Sequence, residues 1–165
     1  MAEVSRVRVS PRPPNIKMIL VVHMTDGFDG TSLISNQILN LIKWSNEETF
    51  ALATKDPGHR KFGKFILSAA GEFDMDIGYK DVTVCGLYFK ACMATTIQLV
   101  STTARSIRLP TTCIASGSNR TLEDQRTQNH QKRFLSDYIS PFLVDIVERP
   151  FSLKMVGKIV IVKFA

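Results

Sequence analysis

The sequence predicts an α+β domain: a mainly antiparallel β-sheet packed with two principal helices, fronted by a flexible Pro/Arg-rich N-terminal arm. Three observations carry this reading. Runs of Ile, Leu and Val recur at strand length, beginning with Ile16 to Met24. Two other segments carry a helical period. Residues 1–15 set Pro11, Pro13 and Pro14 beside Arg6, Arg8 and Arg12, with almost no large apolar residue. Proline lacks an N–H and holds its predecessor extended, so this arm is expected to be extended and solvated. The expected division is an arm over residues 1–15 and a single globular domain over 16–165.

The elements follow in order. Ile16 to Met24 reads as a buried strand, closed by the turn cluster Thr25-Asp26-Gly27-Phe28-Asp29-Gly30. A helix spans about Ser32 to Trp44. There Ile34, Ile38, Leu41 and Ile42 fall at i, i+4, i+7 and i+8, and Thr31 or Ser32 is placed to cap the first turn. Thr49 to Thr54 reads as a short strand and residues 55–61 as a basic turn. Phe62 to Ala70 is a second apolar segment, strand or short helix. Glu72 to Lys80 is an acidic loop with Phe73, Met75 and Ile77 exposed. Val82 to Thr103 is dominated by Val, Thr, Ile, Tyr and Phe, and its length suggests two strands. Residues 104–120 read as irregular. Thr121-Leu122-Glu123-Asp124 resembles a capping box, opening a helix to about Ser140 with Phe134, Leu135, Tyr138 and Ile139 on its buried face. Pro141 is expected to end that helix, leaving Phe142 to Glu148 as a strand, although the helical period continues through Phe142, Leu143, Ile146 and Val147. Phe151, Leu153 and Met155 alternate with polar neighbours. Beyond Gly157 the parity reverses, which suggests two strands around Gly157 or one bulged strand.

The bulk composition is globular, with 44% apolar and 22% charged residues. No apolar run reaches the roughly 18 residues of a membrane span. The start MAEVSRVRVS has no apolar h-region, so a cytosolic origin is expected. The formal charge of +6 favours anionic partners, a phospholipid surface or nucleic acid, without choosing between them.

No constellation in the sequence supports chemistry. His23, His59 and His130 lack partners at metal-ligand spacing, and Cys85, Cys92 and Cys113 form no CxxC pair. Asp74 and Asp76 have no flanking ligands to complete a calcium loop. Residues 58–64 do not match a phosphate-cradling GxxxxGK[ST], and no GxSxG occurs. No catalytic residue, metal site or cofactor is therefore assigned, and the chain is expected not to be an enzyme. The basic turn is the better candidate. Lys55, Arg60, Lys61 and Lys64 surround Phe62 and Phe65, a mixture that suits an anionic membrane or single-stranded nucleic acid. Phe65 reads as core; Phe62 reads equally as core or as an exposed ring. Trp44, one turn after Leu41, is expected to be buried.

In their order and spacing these features resemble the matrix protein of rhabdoviruses, in its short, plant-infecting cytoplasmic form. Val22-His23-Met24-Thr25 is similar to that family's Val-Lys-Met-Thr. The helix closes on a tryptophan, and Phe62-Gly63-Lys64-Phe65-Ile66-Leu67 resembles Pro-Phe-Tyr-Lys-Ile-Leu. Gly86-Leu87-Tyr88 is similar to a Gly-Leu-Tyr of the family. Arg133 to Tyr138 followed by Phe142 to Arg149 resembles its late helix and Ile-Val-Glu-Lys strand. The likeness spans Lys17 to about Val162. It departs in lacking a PPxY motif, since Pro13-Pro14 is followed by Asn15-Ile16, and in lacking an N-terminal lysine cluster.

The resemblance implies a structural protein of the virion. It would lie beneath the envelope and on host cytoplasmic and inner membrane surfaces, and would condense the nucleocapsid against the membrane. The implied partners are a second copy, viral nucleoprotein-RNA, an anionic membrane and the envelope glycoprotein tail. Self-association is assigned to Arg8, Pro11, Arg12, Pro13 and Pro14, as a heterologous, filament-forming contact. Membrane or nucleocapsid contact is assigned to Arg6, Arg12, Lys55, Arg60, Lys61, Phe62 and Lys64. Two other classes compete: a basic viral nucleic-acid-binding protein of movement or silencing-suppressor type, and a small cytosolic enzyme with a site assembled only in space.

Overall fold

The computed structural model of the protein describes residues 16–117 and 119–165. The arm residues Arg6, Arg8, Pro11, Arg12, Pro13 and Pro14 lie outside the described residues, and so does the contact assigned to them.

Eight strands form one mixed sheet in the order β4-β3-β2-β1-β5-β6-β8-β7. The strands are β1 (Lys17–Val22), β2 (Glu48–Ala53), β3 (Lys64–Ala69), β4 (Glu72–Phe73), β5 (Asp81–Gly86), β6 (Ser106–Pro110), β7 (Phe151–Val156) and β8 (Ile159–Phe164). The helices are α1 (Thr31–Ser45), α2 (Cys92–Ser101), α3 (Leu122–Gln128), α4 (Gln131–Phe134) and α5 (Ser140–Ile146), with a 3₁₀ turn at Thr111–Cys113.

The expected α+β combination of sheet and helices is present. The expected antiparallel pairing holds only at the two ends of the sheet, in β3–β4, β6–β8 and β7–β8. The five central strands, β3, β2, β1, β5 and β6, are parallel. A parallel strand buried on both faces shows a continuous apolar run rather than alternation. Ile19 to Val22 and Val82 to Gly86 are such runs, fully or nearly fully buried. Crossovers make the parallel pairing: α1 carries the chain from β1 to β2 and α2 from β5 to β6. Because these two crossovers leave β1 and β5 in opposite directions, right-handedness places α1 and α2 on opposite faces.

The α2 segment was expected as strand. It is helical because Met93, Ile97 and Val100 recur at i, i+4 and i+7 and bury against the sheet, overriding the strand preference of Thr95, Thr96 and Ile97. Residues 106–110, expected to be irregular, form β6. The Thr121 capping box is real: the Asp124 N–H donates to Thr121 Oγ1 at 3.1 Å, and the Thr121 N–H donates to Asp124 Oδ2 at 3.3 Å. The helix it opens breaks at Asn129, restarts at Gln131 and runs past Pro141, so Phe142 to Glu148 is helix rather than strand. A π turn over Leu135–Ile139 widens the backbone just before the proline. Pro141 then falls in the first turn of α5, where its missing N–H costs little. The final hairpin turns at Gly157, as the parity change predicts.

Candidate docking surfaces

The basic turn between β2 and β3 returns the chain from the end of β2 to the start of β3. Lys55, Arg60, Lys61 and Lys64 are all exposed on it. Part of their charge is already engaged. Arg60 donates to Asp56 Oδ1 at 2.9 Å, and Lys64 lies 3.6 Å from Glu48 Oε2. The Arg60 hydrogen bond, helped by the Gly58 N–H, holds the Asp56 carboxyl below its usual range. Phe62 was assigned to the contact surface and does not belong there. It is 4% exposed and part of the main apolar cluster, with the Lys61 ammonium over its ring at 5.5 Å. Phe65 is half-buried.

A second surface is built from strands distant in sequence. Register places Arg108 beside Ile161 and Ile161 beside Lys154, side chains of one row on one face. The row below it is Ser106, Lys163 and Ser152, and the row above is Pro110, Ile159 and Val156. The opposite face of these strands is sealed by buried Ile107, Leu109, Val160 and Val162. α1 covers the near side only as far as its C-terminal turn, so the β6–β8–β7 face stands open beside it.

The lower half of this face is cationic. Arg105 pairs with Asp81, donating from Nε to Oδ1 at 2.9 Å and from Nη2 to Oδ2. Ser106 Oγ adds a bond to Oδ1 at 2.6 Å, and together these hold the Asp81 carboxyl down at about 2. Arg108 Nη2 donates to Glu47 Oε1 at 2.9 Å, while its buried Nε has no acceptor among the described residues. Lys154 and Lys163 are exposed and make no ion pair among the described residues. Arg105, Arg108, Lys154 and Lys163 line a shallow cavity of about 380 Å³.

The upper half is apolar. Leu41 and Trp44 of α1, Pro110 and Ile159 line a cavity of about 400 Å³, and Val156 beside it is 51% exposed. Trp44 was expected in the core and is instead 78% exposed. At 100° per residue it sits about 100° from the middle of the Ile34–Ile38 stripe, which is the face that α1 buries.

A third feature sits where β1 and β5 diverge, the switch point at the carboxyl ends of a parallel sheet. His23 Nε2 lies 3.1 Å from Ser68 Oγ, and His23 Nδ1 lies 3.0 Å from Asp26 Oδ2. Asp26 also accepts from the Thr54 N–H and Thr54 Oγ1. Serine, histidine and aspartate in that order form a hydrolytic relay in other folds. Here Ser68 and His23 are each 1% exposed, Phe28 stacks on the His23 ring, and Tyr88 packs edge-on against Phe28. The arrangement as it stands ties the ends of β1, β2 and β3 together and offers no accessible nucleophile. The three cysteines are free; burial raises the Cys85 thiol and pushes Cys113 up to about 11.

Sequence reasoning missed the open face because its residues come from β6, β7, β8 and α1. The available signal was parity: Arg108, Lys154 and Lys163 stand at the polar positions of alternating strands. The described residues hold no cluster of metal-ligating groups, and none of their helices is long and apolar enough to cross a membrane. The chain matches no family model, no curated protein and no solved structure.

Proposed function

We propose that this chain is a structural protein of the viral matrix type, which self-assembles and links a helical nucleocapsid to an envelope membrane. One observation supports the reading above the sequence resemblance. The domain presents two cationic surfaces near opposite ends of one sheet. The basic turn leads into β3 and the open face centres on β8, five strand spacings or roughly 24 Å apart. A rigid body with two separated cationic surfaces can hold two anionic partners at once. Virion location beneath the envelope, contact with nucleoprotein-RNA and contact with the glycoprotein tail follow as parts of the same proposal.

Co-flotation tests it. The full chain should carry RNA to the top of a density gradient together with phosphatidylserine-containing vesicles, and RNA alone should stay below. Replacing Lys55, Arg60, Lys61 and Lys64 together by glutamate should reduce vesicle binding several-fold with little change in thermal midpoint, because exposed charges contribute little to stability. Raised salt should mimic that loss, since the screening length shrinks from about 10 Å at 0.1 M. Undiminished vesicle binding by the fourfold variant would remove this turn from the membrane contact.

Self-association is proposed to run through the arm. Deleting residues 1–14 should leave the melting transition in place and shift sedimentation from concentration-dependent oligomers to monomer. Oligomers that persist with the same concentration dependence would assign the contact to the folded domain.

A further inference from the structure

We infer that the open β6–β8–β7 face binds single-stranded nucleic acid directly, with phosphates on the cationic half and a base stacked on Trp44. This rests on the two-surface reading above and assigns the nucleic-acid end to this face.

The charge argument comes first. Both carboxylates at the face are already satisfied, Asp81 by Arg105 and Glu47 by Arg108. That leaves Lys154 and Lys163 as uncompensated charge. The complement of such a face is an anion with several acceptor oxygens spaced along a chain. The two guanidiniums are held by their carboxylates, so little side-chain freedom is lost when a phosphate arrives.

The aromatic argument is independent of it. Trp44 is the only tryptophan in the chain, and its ring lines the apolar cavity with Pro110 and Ile159, one row along the same face from Arg108 and Ile161, with little protein against it. The Lys43 ammonium lies 5.4 Å from the ring centroid and sets a positive charge beside the platform, while Trp44 as a whole stays 78% exposed. Cationic rows beside a stacking platform are what strand binding without sequence preference requires. An anionic membrane is the rival. Lys154 and Lys163 project and suit either partner, whereas Arg105 and Arg108 are half-buried on the sheet and meet only a phosphate that comes down onto the strands. A flexible polymer can enter there more closely than a bilayer surface can.

The experiment uses the full chain and a uridine oligonucleotide of about twelve residues, within the usual range of strand-binding sites. Binding should quench the Trp44 fluorescence. The logarithm of affinity should fall with the logarithm of salt at a slope of about −2 to −3, near 0.7 for each of three or four phosphates. The variant Lys154→Glu/Lys163→Glu should bind at least tenfold more weakly with a shallower salt slope. Trp44→Ala, followed by anisotropy of a labelled oligonucleotide, should lose about fivefold or more. The glutamate variant of the basic turn should keep its quenching amplitude and most of its affinity. Wild-type protein showing no quenching, or equal affinity in wild type and Lys154→Glu/Lys163→Glu, overturns the inference. Phosphatidylserine vesicles in the same titration separate the failures. Trp44 responding to vesicles and not to the oligonucleotide makes this face a membrane contact, which sinks the inference and leaves a docking role. Trp44 responding to neither, with RNA still co-floating, places the nucleic-acid contact elsewhere.

Discussion

Alanine at Gly86 is expected to cost about 3–5 kcal/mol of folding stability, among the largest losses a single methyl group can produce. Gly86 ends β5 beside Val22, the last residue of β1, and its φ of +126° lies where side chains are rarely tolerated. A Cβ there would sit 2.4 Å from the Val22 carbonyl oxygen and 2.7 Å from the Val22 nitrogen. Both are backbone atoms of the fully buried central strand, so neither neighbour can swing aside. Separating β1 from β5 would also disturb the Leu87 N–H bond to the Val22 carbonyl. Gly157 is the matched control. Its φ is +62°, and a Cβ there would meet nothing within 4 Å. Gly157→Ala should therefore cost only the left-handed backbone penalty, about 1–2 kcal/mol. Urea unfolding of the two variants, with m-values compared, tests this. Equal losses would mean that the β1–β5 approach is not the constraint that it looks to be.

What was legible in the sequence divides along physical lines. α1 and the β7–β8 hairpin were readable because each buries one face, and a single buried face imposes a period of 3.6 or 2. β1 and β5 were readable as strands, but not their direction. A strand buried on both faces carries no periodic mark of whether its neighbour runs with it or against it. α2 was hidden by composition, since Thr95, Thr96 and Ile97 favour strands until the sheet offers a surface for Met93, Ile97 and Val100. Pro141 misled because a proline after a π turn behaves as a helix start. Of the candidate surfaces, the basic turn was visible as contiguous charge. The open face was invisible because Arg108, Lys154 and Lys163 meet only through strand register. Trp44 was misplaced because spacing from Leu41 was weighed without its angle to the Ile34–Ile38 stripe.

His23 leads to the second expected result, a loss of stability on mild acidification. Burial lowers its pKa below the ordinary 6.5, and the neighbouring Asp26 charge offsets only part of that. The folded protein thus holds this proton less tightly than the unfolded chain does. Its contribution to stability is complete above about pH 6.5 and declines as the pH falls toward the folded value, at up to about 1.4 kcal/mol per unit. Asp81 acts in a separate window. Held at about 2 by Arg105 and Ser106 against an ordinary 3.8, it adds stability above pH 4 that disappears between about 4 and 2. Urea midpoints measured from pH 8 to pH 5 should therefore fall before any carboxylate of the Asp81 kind titrates. His23→Gln retains an amide to meet Ser68 and has no titration in that range. Its absolute stability will be lower, because position 23 has a positive φ of 60° and a fitted ring. The slope is the readout: between pH 7 and 5 the variant's midpoint should be nearly level while the wild type's declines. A variant that declines as steeply as the wild type would move the acid sensitivity from His23 to another group.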